Sequence, residues 1–198
     1  DPEDVILVRK EKYTKDLALN VRLKGIIGTS SARRQSLVRA MREDIELKDL
    51  RGNVPTRINK LRAGDYDAII LAAAGLKRLK LDTSDLEVVH LSHEQYVPAP
   101  AQGVLALQTR SSDQDLIKAL EEIHHQDVAA NIYVEREILR QMDGGCQLPL
   151  GAHCTKRDSE WMLYLSYAKN KTAAAQIHRF SASSSEELIK IALETLKN

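Results

Sequence analysis

The chain has 198 residues, of which 43% are hydrophobic and 29% are charged, which is ordinary for a soluble globular protein of one large domain or two small ones. A formal net charge of +1 gives no general attraction for nucleic acid, and a single Phe and a single Trp argue against a stacking surface for single strands. No apolar run is long enough to span a bilayer, so we expect neither a nucleic-acid partner nor a membrane partner.

The first residues and the cysteine content indicate the compartment. Asp1, Glu3 and Asp4 do not fit the basic and apolar pattern of a secretory signal peptide, so we expect a cytoplasmic protein. Two cysteines in a chain of this length do not indicate a scaffold held by disulfides.

Strands alternate with short helices over the first 80 residues. An apolar run at 5–8 is a candidate for a strand or a hinge. The clearer pattern that follows predicts a strand at 25–28, a helix at 32–41, a strand at 45–50, a helix from Pro55 to Gly64, a strand at 67–72 and a helix at 73–79. Because the strand at 67–72 is apolar throughout, we expect a parallel sheet that is covered on both faces. This alternation predicts an α/β domain.

The pattern changes in the second half of the chain. A linker at 98–103 is rich in proline and turns, and it is followed by a predicted strand at 104–108. We then expect helices at 113–124 and 127–142, a hairpin of strands at 161–167 and 173–180, and a final helix that begins with the Ser184 and Glu187 capping box. This order predicts a smaller α+β domain.

Arginines follow three predicted strand ends. Ligands of open α/β sheets bind outside the carboxyl ends of the strands, so these loops are expected to face one crevice. The guanidinium groups concerned belong to Arg33, Arg34, Arg51, Arg57 and Arg78. They predict a site for a ligand with several carboxylates or phosphates, although each could instead lie on a solvated helix face. Neither a Walker motif nor a Gly-x-Gly-x-x-Gly motif is present, so the sequence does not support nucleotide binding.

A glycine loop carries one cysteine. The two glycines at 144–145 permit unusual backbone angles and Pro149 fixes the exit of the loop, so the thiol of Cys146 could be presented as an attachment point. The alternative is a small buried hydrophobe in an ordinary turn. Cys146, His153 and Cys154 could also bind a metal, but no fourth ligand is evident and we expect no metal.

Five segments together resemble the porphobilinogen deaminase (hydroxymethylbilane synthase) family. They are residues 28–34 (GTSSARR), 50–57 (LRGNVPTR), 65–72 (DYDAIILA), 75–79 (GLKRL) and 144–149 (GGCQLP). The resemblance implies a doubly wound, periplasmic-binding-protein-like α/β domain followed by a small α+β domain with a three-stranded sheet. It also implies a tetrapyrrole-pathway transferase that joins four porphobilinogen units with release of ammonia, and a full enzyme that is monomeric.

The resemblance also implies roles for particular residues. Cys146 would hold a dipyrromethane cofactor as a thioether, with no metal and no nucleotide. The acetate and propionate groups of cofactor and substrate would be bound by the five arginines and by residues of the same cradle and of the domain junction, which are Thr29, Ser30, Ser31, Gly52 and Gln102.

The resemblance departs from the family at its first domain. In the family, the catalytic aspartate lies in sequence upstream of the matching segments, and no residue here takes that role, including Asp16 beside Lys15. The expected organisation is a hinge or remnant of domain 1 at 1–6, domain 2 at 7–97, a returning segment of domain 1 at 101–122 and domain 3 at 126–198.

Three functional states of this chain are considered, because no residue takes the role of the catalytic aspartate. The chain is expected to be inactive alone, and to self-associate or pair with a separate N-terminal part, because a strand at 104–108 would lack its partners. A non-enzymatic module that binds carboxylates reversibly is the alternative from another class. An inert fragment with intact motifs is the third.

Overall fold

The computed structural model describes residues 1–142, 145 and 147–197. The strands are β1 (Asp4–Arg9), β2 (Ile26–Gly28), β3 (Glu46–Lys48), β4 (Ala68–Ala72), β5 (Leu86–Leu91), β6 (Leu150–Arg157), β7 (Glu160–Tyr167) and β8 (Gln176–Ala182). The α-helices are α1 (Ala32–Met41), α2 (Val54–Arg62), α3 (Ala73–Leu79), α4 (Gln114–Glu121), α5 (Gln126–Gln141) and α6 (Ser185–Lys197).

The first five strands form one mixed sheet in the order β3-β2-β4-β1-β5. β2 runs parallel to β3 and β4, as strands joined through intervening helices do, whereas β1 runs antiparallel to both β4 and β5. The expectation of a parallel sheet therefore holds for the β3-β2-β4 part only. The apolar run at 5–8 is the interior of β1, which lies between two other strands in the middle of the sheet.

Helices cover both faces of this sheet, as the doubly wound fold class predicts. Successive side chains of a strand point to opposite faces, so Ile6 and Val8 pack with Leu37 of α1 on one face. Leu7 packs with Ile58 of α2 on the other face. The apolar character of β1 and β4 follows from this burial on both sides.

The second sheet is antiparallel, in the order β6-β7-β8, and it confirms the predicted α+β domain. Helices α5 and α6 supply Ile138 and Leu188 to a core that also contains Leu163 of β7. Ser184 Oγ accepts a hydrogen bond from the Glu187 backbone N–H at 3.2 Å, so the predicted serine cap is present at the start of α6.

Three segments differ from the sequence prediction. Residues 104–108 form no strand, and Leu105 and Leu107 are 70% and 64% exposed. No strand in the described part of the chain pairs with this segment, and an isolated strand does not form in water. Strands β5 and β6 are not predicted by the local pattern: the alternation of buried and exposed residues in β5 begins among turn residues, and β6 follows directly on the glycine loop.

Strand β1 begins at Asp4, inside the segment at 1–6 that is expected to be a hinge or a remnant of domain 1. Helix α1 of the first sheet contacts the loop before β8, where the Ala175 backbone N–H donates a hydrogen bond to Ser36 O at 2.9 Å. Among the described residues, no helix has the length and apolar content needed to cross a bilayer.

Candidate anion-binding site

A cleft of about 530 Å³ lies where β4 ends and where α2 and α3 begin. Guanidinium groups come from Arg34 and Arg57, and apolar side chains come from Val54, Pro55, Leu71 and Leu79. Its volume suits a small organic ligand, and its lining combines apolar walls with two cations. The predicted crevice at the carboxyl ends of the strands is therefore present, with two of the five predicted arginines in it.

The turn before α2 positions Arg57. Asn53 is the N-cap, and its side chain accepts a hydrogen bond from the Thr56 N–H at 2.9 Å. Gly52 has a φ of +123°, and a Cβ there would lie 2.9 Å from Thr56 Cγ2. Because this conformation leaves the Gly52 carbonyl free, it accepts a hydrogen bond from Arg57 Nε at 2.8 Å. The glycine therefore orients the arginine.

Arg57 has no carboxylate partner within the described residues. Burial lowers the pKa of its guanidinium, and the charge of Arg34 lowers that pKa further. The group nevertheless remains protonated at any physiological pH. A ligand anion in the cleft would offset the unfavourable proximity of these two cations.

Arg34 is anchored at the wall of the cleft and is only 8% exposed. Its Nε and Nη2 donate to Asp4 Oδ1 at 3.2 and 2.6 Å, and its Nη1 donates to Ile70 O at 3.1 Å. A guanidinium group carries five N–H donors, so two of those of Arg34 are not used by these bonds.

Arg33 does not line the cleft, although it is adjacent to Arg34 in sequence. Its Nη1 donates to Asp4 Oδ2 and to Val97 O, both at 2.8 Å, and its Nη2 donates to Gln102 Oε1 at 3.2 Å. Its Nε is buried and has no hydrogen-bond partner in the part of the chain that the structure describes. Arg33 and Gln102 thus form a buried network with Asp4 instead of lining the cleft.

The hydroxyl groups before α1 are used locally. Ser31 Oγ accepts from the Arg34 N–H at 3.4 Å as the N-cap, and Thr29 Oγ1 accepts from the Ser31 N–H at 3.3 Å. Ser30 Oγ accepts from the Leu50 N–H at 2.9 Å, which joins the turn after β2 to the end of the β3 segment. Their contacts with a ligand stay a prediction.

Arg51 and Arg78 are exposed and are absent from the lining of the cleft. Within the described residues, neither side chain has a hydrogen bond or an ion pair. Both remain available to a ligand that extends beyond the cleft.

Sequence reasoning missed Asp4, which is fully buried and contacts Arg33, Arg34 and Gln102. It was grouped with the acidic residues of the chain start. The available signal was its position, since Asp4 directly precedes four apolar residues and an acid at the start of a buried strand needs a cationic partner.

Cys146 lies outside the described residues, as do Asp143, Gly144 and Asn198. The other cysteine, Cys154, is buried on β6, and burial together with the charge of Glu135 raises the pKa of its thiol to about 12. Such a thiol is unreactive at neutral pH. In the described part of the chain, no three His, Cys, Asp or Glu side chains are grouped so as to hold a metal.

Two family models match this chain. "Porphobilinogen deaminase, dipyromethane cofactor binding domain" matches residues 1–118, and "Porphobilinogen deaminase, C-terminal domain" matches residues 129–198. A porphobilinogen deaminase of Fusobacterium nucleatum is 37% identical over 198 residues, which are all of this chain and 64% of that protein. One of Staphylococcus saprophyticus is 41% identical over 156 residues, which are 79% of this chain and 49% of that protein. The chain thus spans less than two thirds of these relatives.

Among solved structures, a Salmonella typhimurium periplasmic binding protein with high arginine specificity superposes with a TM-score of 0.39 and 13% identity, over 70% of this chain and 59% of that one. An amino acid transporter substrate-binding protein of Streptococcus pneumoniae, bound to L-arginine, gives a TM-score of 0.35 and 14% identity, over 71% and 52% of the two chains.

Proposed function

Because the chain belongs to the porphobilinogen deaminase family, we propose that it is the cofactor-binding and C-terminal part of a hydroxymethylbilane synthase. This transferase joins four porphobilinogen units head to tail, with the release of one ammonia at each step. The growing chain starts from a dipyrromethane tethered through a thioether to Cys146. The proposed location is the cytoplasm, and the full enzyme acts as a monomer.

The observation that carries this proposal is the cleft that presents Arg34 and Arg57 between apolar walls. Each pyrrole of a dipyrromethane has an apolar ring and two carboxylates, and guanidinium groups bind carboxylates through paired hydrogen bonds. The cleft therefore suits this group in charge, polarity and size. The bound cofactor would supply an anchored primer, and the anchor would keep the intermediates at a high effective concentration.

The residues of this chain are proposed to bind and orient the substrate. Among the described residues, Arg57 has no carboxylate partner and Arg34 has two unused N–H donors, so both are suited to hold acetate or propionate groups. The same proposal covers the remaining members of the predicted cradle, which are Thr29, Ser30, Ser31, Arg33, Arg51, Gly52, Arg78 and Gln102. The catalytic aspartate is proposed to lie in the part of the full enzyme that precedes residue 1.

The domain organisation is part of the proposal. Residues 1–6 would be a hinge or remnant of domain 1, 7–97 domain 2, 101–122 a returning segment of domain 1 and 126–198 domain 3. The exposed apolar side chains of Leu105, Leu107 and Leu116 support a returning segment that is covered elsewhere in the full enzyme.

The intact mass of the denatured protein tests the tether directly. We expect a mass excess equal to one dipyrromethane, which disappears in Cys146→Ala and persists in the matched variant Cys154→Ala. The buried and unreactive thiol of Cys154 makes it a suitable control.

An unmodified mass has two interpretations, which a second preparation separates. If the upstream region of a relative restores the adduct, the chain is an incomplete enzyme that cannot assemble its own cofactor. If the adduct is still absent, the tethered-cofactor proposal is wrong. Reversible carboxylate binding without an adduct would then favour a non-enzymatic anion-binding module.

A further inference from the structure

The buried carboxylate of Asp4 connects the anion-binding cleft to the chain segments that enter and leave the first sheet. Asp4 is the first residue of β1, and it lies opposite Ala72, the last residue of β4 and part of the cleft. Asp4 therefore lies at the carboxyl end of β4, and its partner in the sheet, Ala72, lines the cleft.

Asp4 is ionised although no solvent reaches it. Burial alone would raise the pKa of this carboxyl, but the charges and hydrogen bonds of Arg33 and Arg34 outweigh burial and lower the pKa. A buried charge of this kind is strongly unfavourable unless its partners are held in place. The two ion pairs, at 2.8 and 2.6 Å, therefore fix the positions of both guanidinium groups.

The orientation of Arg34 leaves part of its hydrogen-bonding capacity for a ligand. Asp4 and Ile70 use three of its five N–H donors, which leaves one hydrogen on each terminal nitrogen. Because Arg34 also lines the cleft, those hydrogens are the ones available to a carboxylate there. The ion pair with Asp4 thus neutralises the charge of Arg34 and also fixes the orientation of its guanidinium group.

We propose that Asp4 is a positioning residue for carboxylate binding, because it holds Arg34 in the orientation in which its two remaining N–H donors face the cleft. This inference rests on the proposed carboxylate-binding function of the cleft. The ligand touches Arg34 and Arg57, whereas Asp4 acts only through Arg34.

If Asp4 were only a counter-ion for Arg34, its removal would change the affinity for an anion in the opposite direction. Removing a negative charge beside the cleft makes the cleft more positive, so electrostatics alone predicts tighter binding of an anion by Asp4→Asn. If Asp4 positions Arg34, the same substitution weakens binding in spite of the added positive charge. The sign of the change therefore distinguishes the two roles.

The experiment measures the dissociation constant of citrate, a tricarboxylate probe, by titration calorimetry at pH 7 and low salt. For Asp4→Asn we expect roughly tenfold weaker binding, the size expected when one charge-assisted hydrogen bond is lost. The matched control is Asp67→Asn. Asp67 is also buried and ion-paired, with Arg22 at 3.0 Å, but it precedes β4 at the opposite end from Ala72. We expect this control to bind citrate within twofold of the parent.

A second variant decides the question if Asp4→Asn does not fold. Asp4→Glu keeps the charge and moves the carboxylate by one methylene, so positioning predicts roughly tenfold weaker binding whereas charge alone predicts no change. Unchanged or tighter binding in the variant that folds would overturn the inference.

The proposed function has its own control in Arg57→Leu, which is expected to weaken citrate binding without involving Asp4. If the parent binds no citrate, or binds it with the same dissociation constant as Arg57→Leu, the cleft is not a carboxylate site. The inference about Asp4 is then also wrong. If Arg57→Leu weakens binding and the Asp4 variants do not, only the inference about Asp4 fails.

Discussion

At the scale of single residues, the backbone at Gly52 decides how the cleft is formed. Its φ of +123° is strained for any residue with a side chain, and an added Cβ would also press against Thr56 at 2.9 Å. We expect Gly52→Ala to lower the free energy of unfolding by about 1–3 kcal/mol, measured by urea denaturation. It should also weaken citrate binding, because the turn carries the carbonyl that holds Arg57.

Gly75 offers a matched control for that substitution. It also lines the cleft, but it lies within α3, and a Cβ there would meet Val54 Cγ2 at an ordinary contact distance of 3.6 Å. Gly75→Ala is therefore expected to be neutral or stabilising by up to about 1 kcal/mol. Equal loss of stability in both variants would show that the conformation of Gly52 is not the cause.

The residue scale also shows what sequence patterns leave undetermined. The motif that ends in Arg33 and Arg34 predicts two anion-binding groups, yet Arg33 bonds to Val97 and Arg34 lines the cleft. Adjacent helical residues point in directions about 100° apart, so one of them had to turn away from the ligand space. Asp4 binds both arginines, so which one lines the cleft depends on their other partners, Val97 O and Gln102 for Arg33 and Ile70 O for Arg34. The folded chain, and not the local sequence, places those partners.

At the scale of elements, the segment from β5 to α5 is the least covered part of the chain. Helix α4 has an apolar face, but none of its residues is buried, and Leu116 is 44% exposed. With Leu105 and Leu107, it provides an exposed apolar surface of the kind that binds a partner or aggregates.

Charged substitutions on this surface are expected to prevent self-association of the chain. We predict that the double variant Leu105→Glu, Leu107→Glu has a lower weight-average mass than the parent in sedimentation experiments at high concentration. Burying two carboxylates in an interface is unfavourable, while neither side chain supports the core of the monomer. The matched control is Leu23→Glu, since Leu23 is 64% exposed on a different loop. A parent that is monomeric at all concentrations would contradict the prediction.

The sequence pattern predicts a helix or strand correctly where this chain itself supplies the contacts that the element needs. The predicted helices at 32–41 and 73–79 match α1 and α3 at both ends, because the Ser31 cap of α1 and the spacing of apolar residues are local signals. The strand predicted at 104–108 is wrong, because a strand requires a paired neighbour and pattern alone does not supply one. The glycine loop around Cys146 was identified by composition, but its cysteine lies outside the described residues.

At the scale of the whole molecule, the chain is expected to need further sequence for turnover. We predict no measurable formation of hydroxymethylbilane from porphobilinogen by the 198-residue chain alone. Fusion of the upstream region of the Fusobacterium nucleatum relative before Asp1 is expected to restore the product, measured after its conversion to uroporphyrin by absorbance.

The control for this experiment is the same fusion with Cys146→Ala, which is expected to remain inactive because the primer cannot be attached. Activity of the unfused chain would contradict the prediction. Activity of the Cys146→Ala fusion would contradict the role of the tether while leaving the requirement for upstream sequence intact.

The chain enters and leaves the first sheet at neighbouring points. Gln102 Nε2 donates to Pro2 O at 2.7 Å, so the two ends of the 95-residue unit from 3 to 97 leave it side by side. A unit whose ends meet can be inserted into a surface loop of another protein without stretching either one. The first sheet and its cleft could thus be moved into another protein as one unit, together with the carboxylate of Asp4 that positions Arg34.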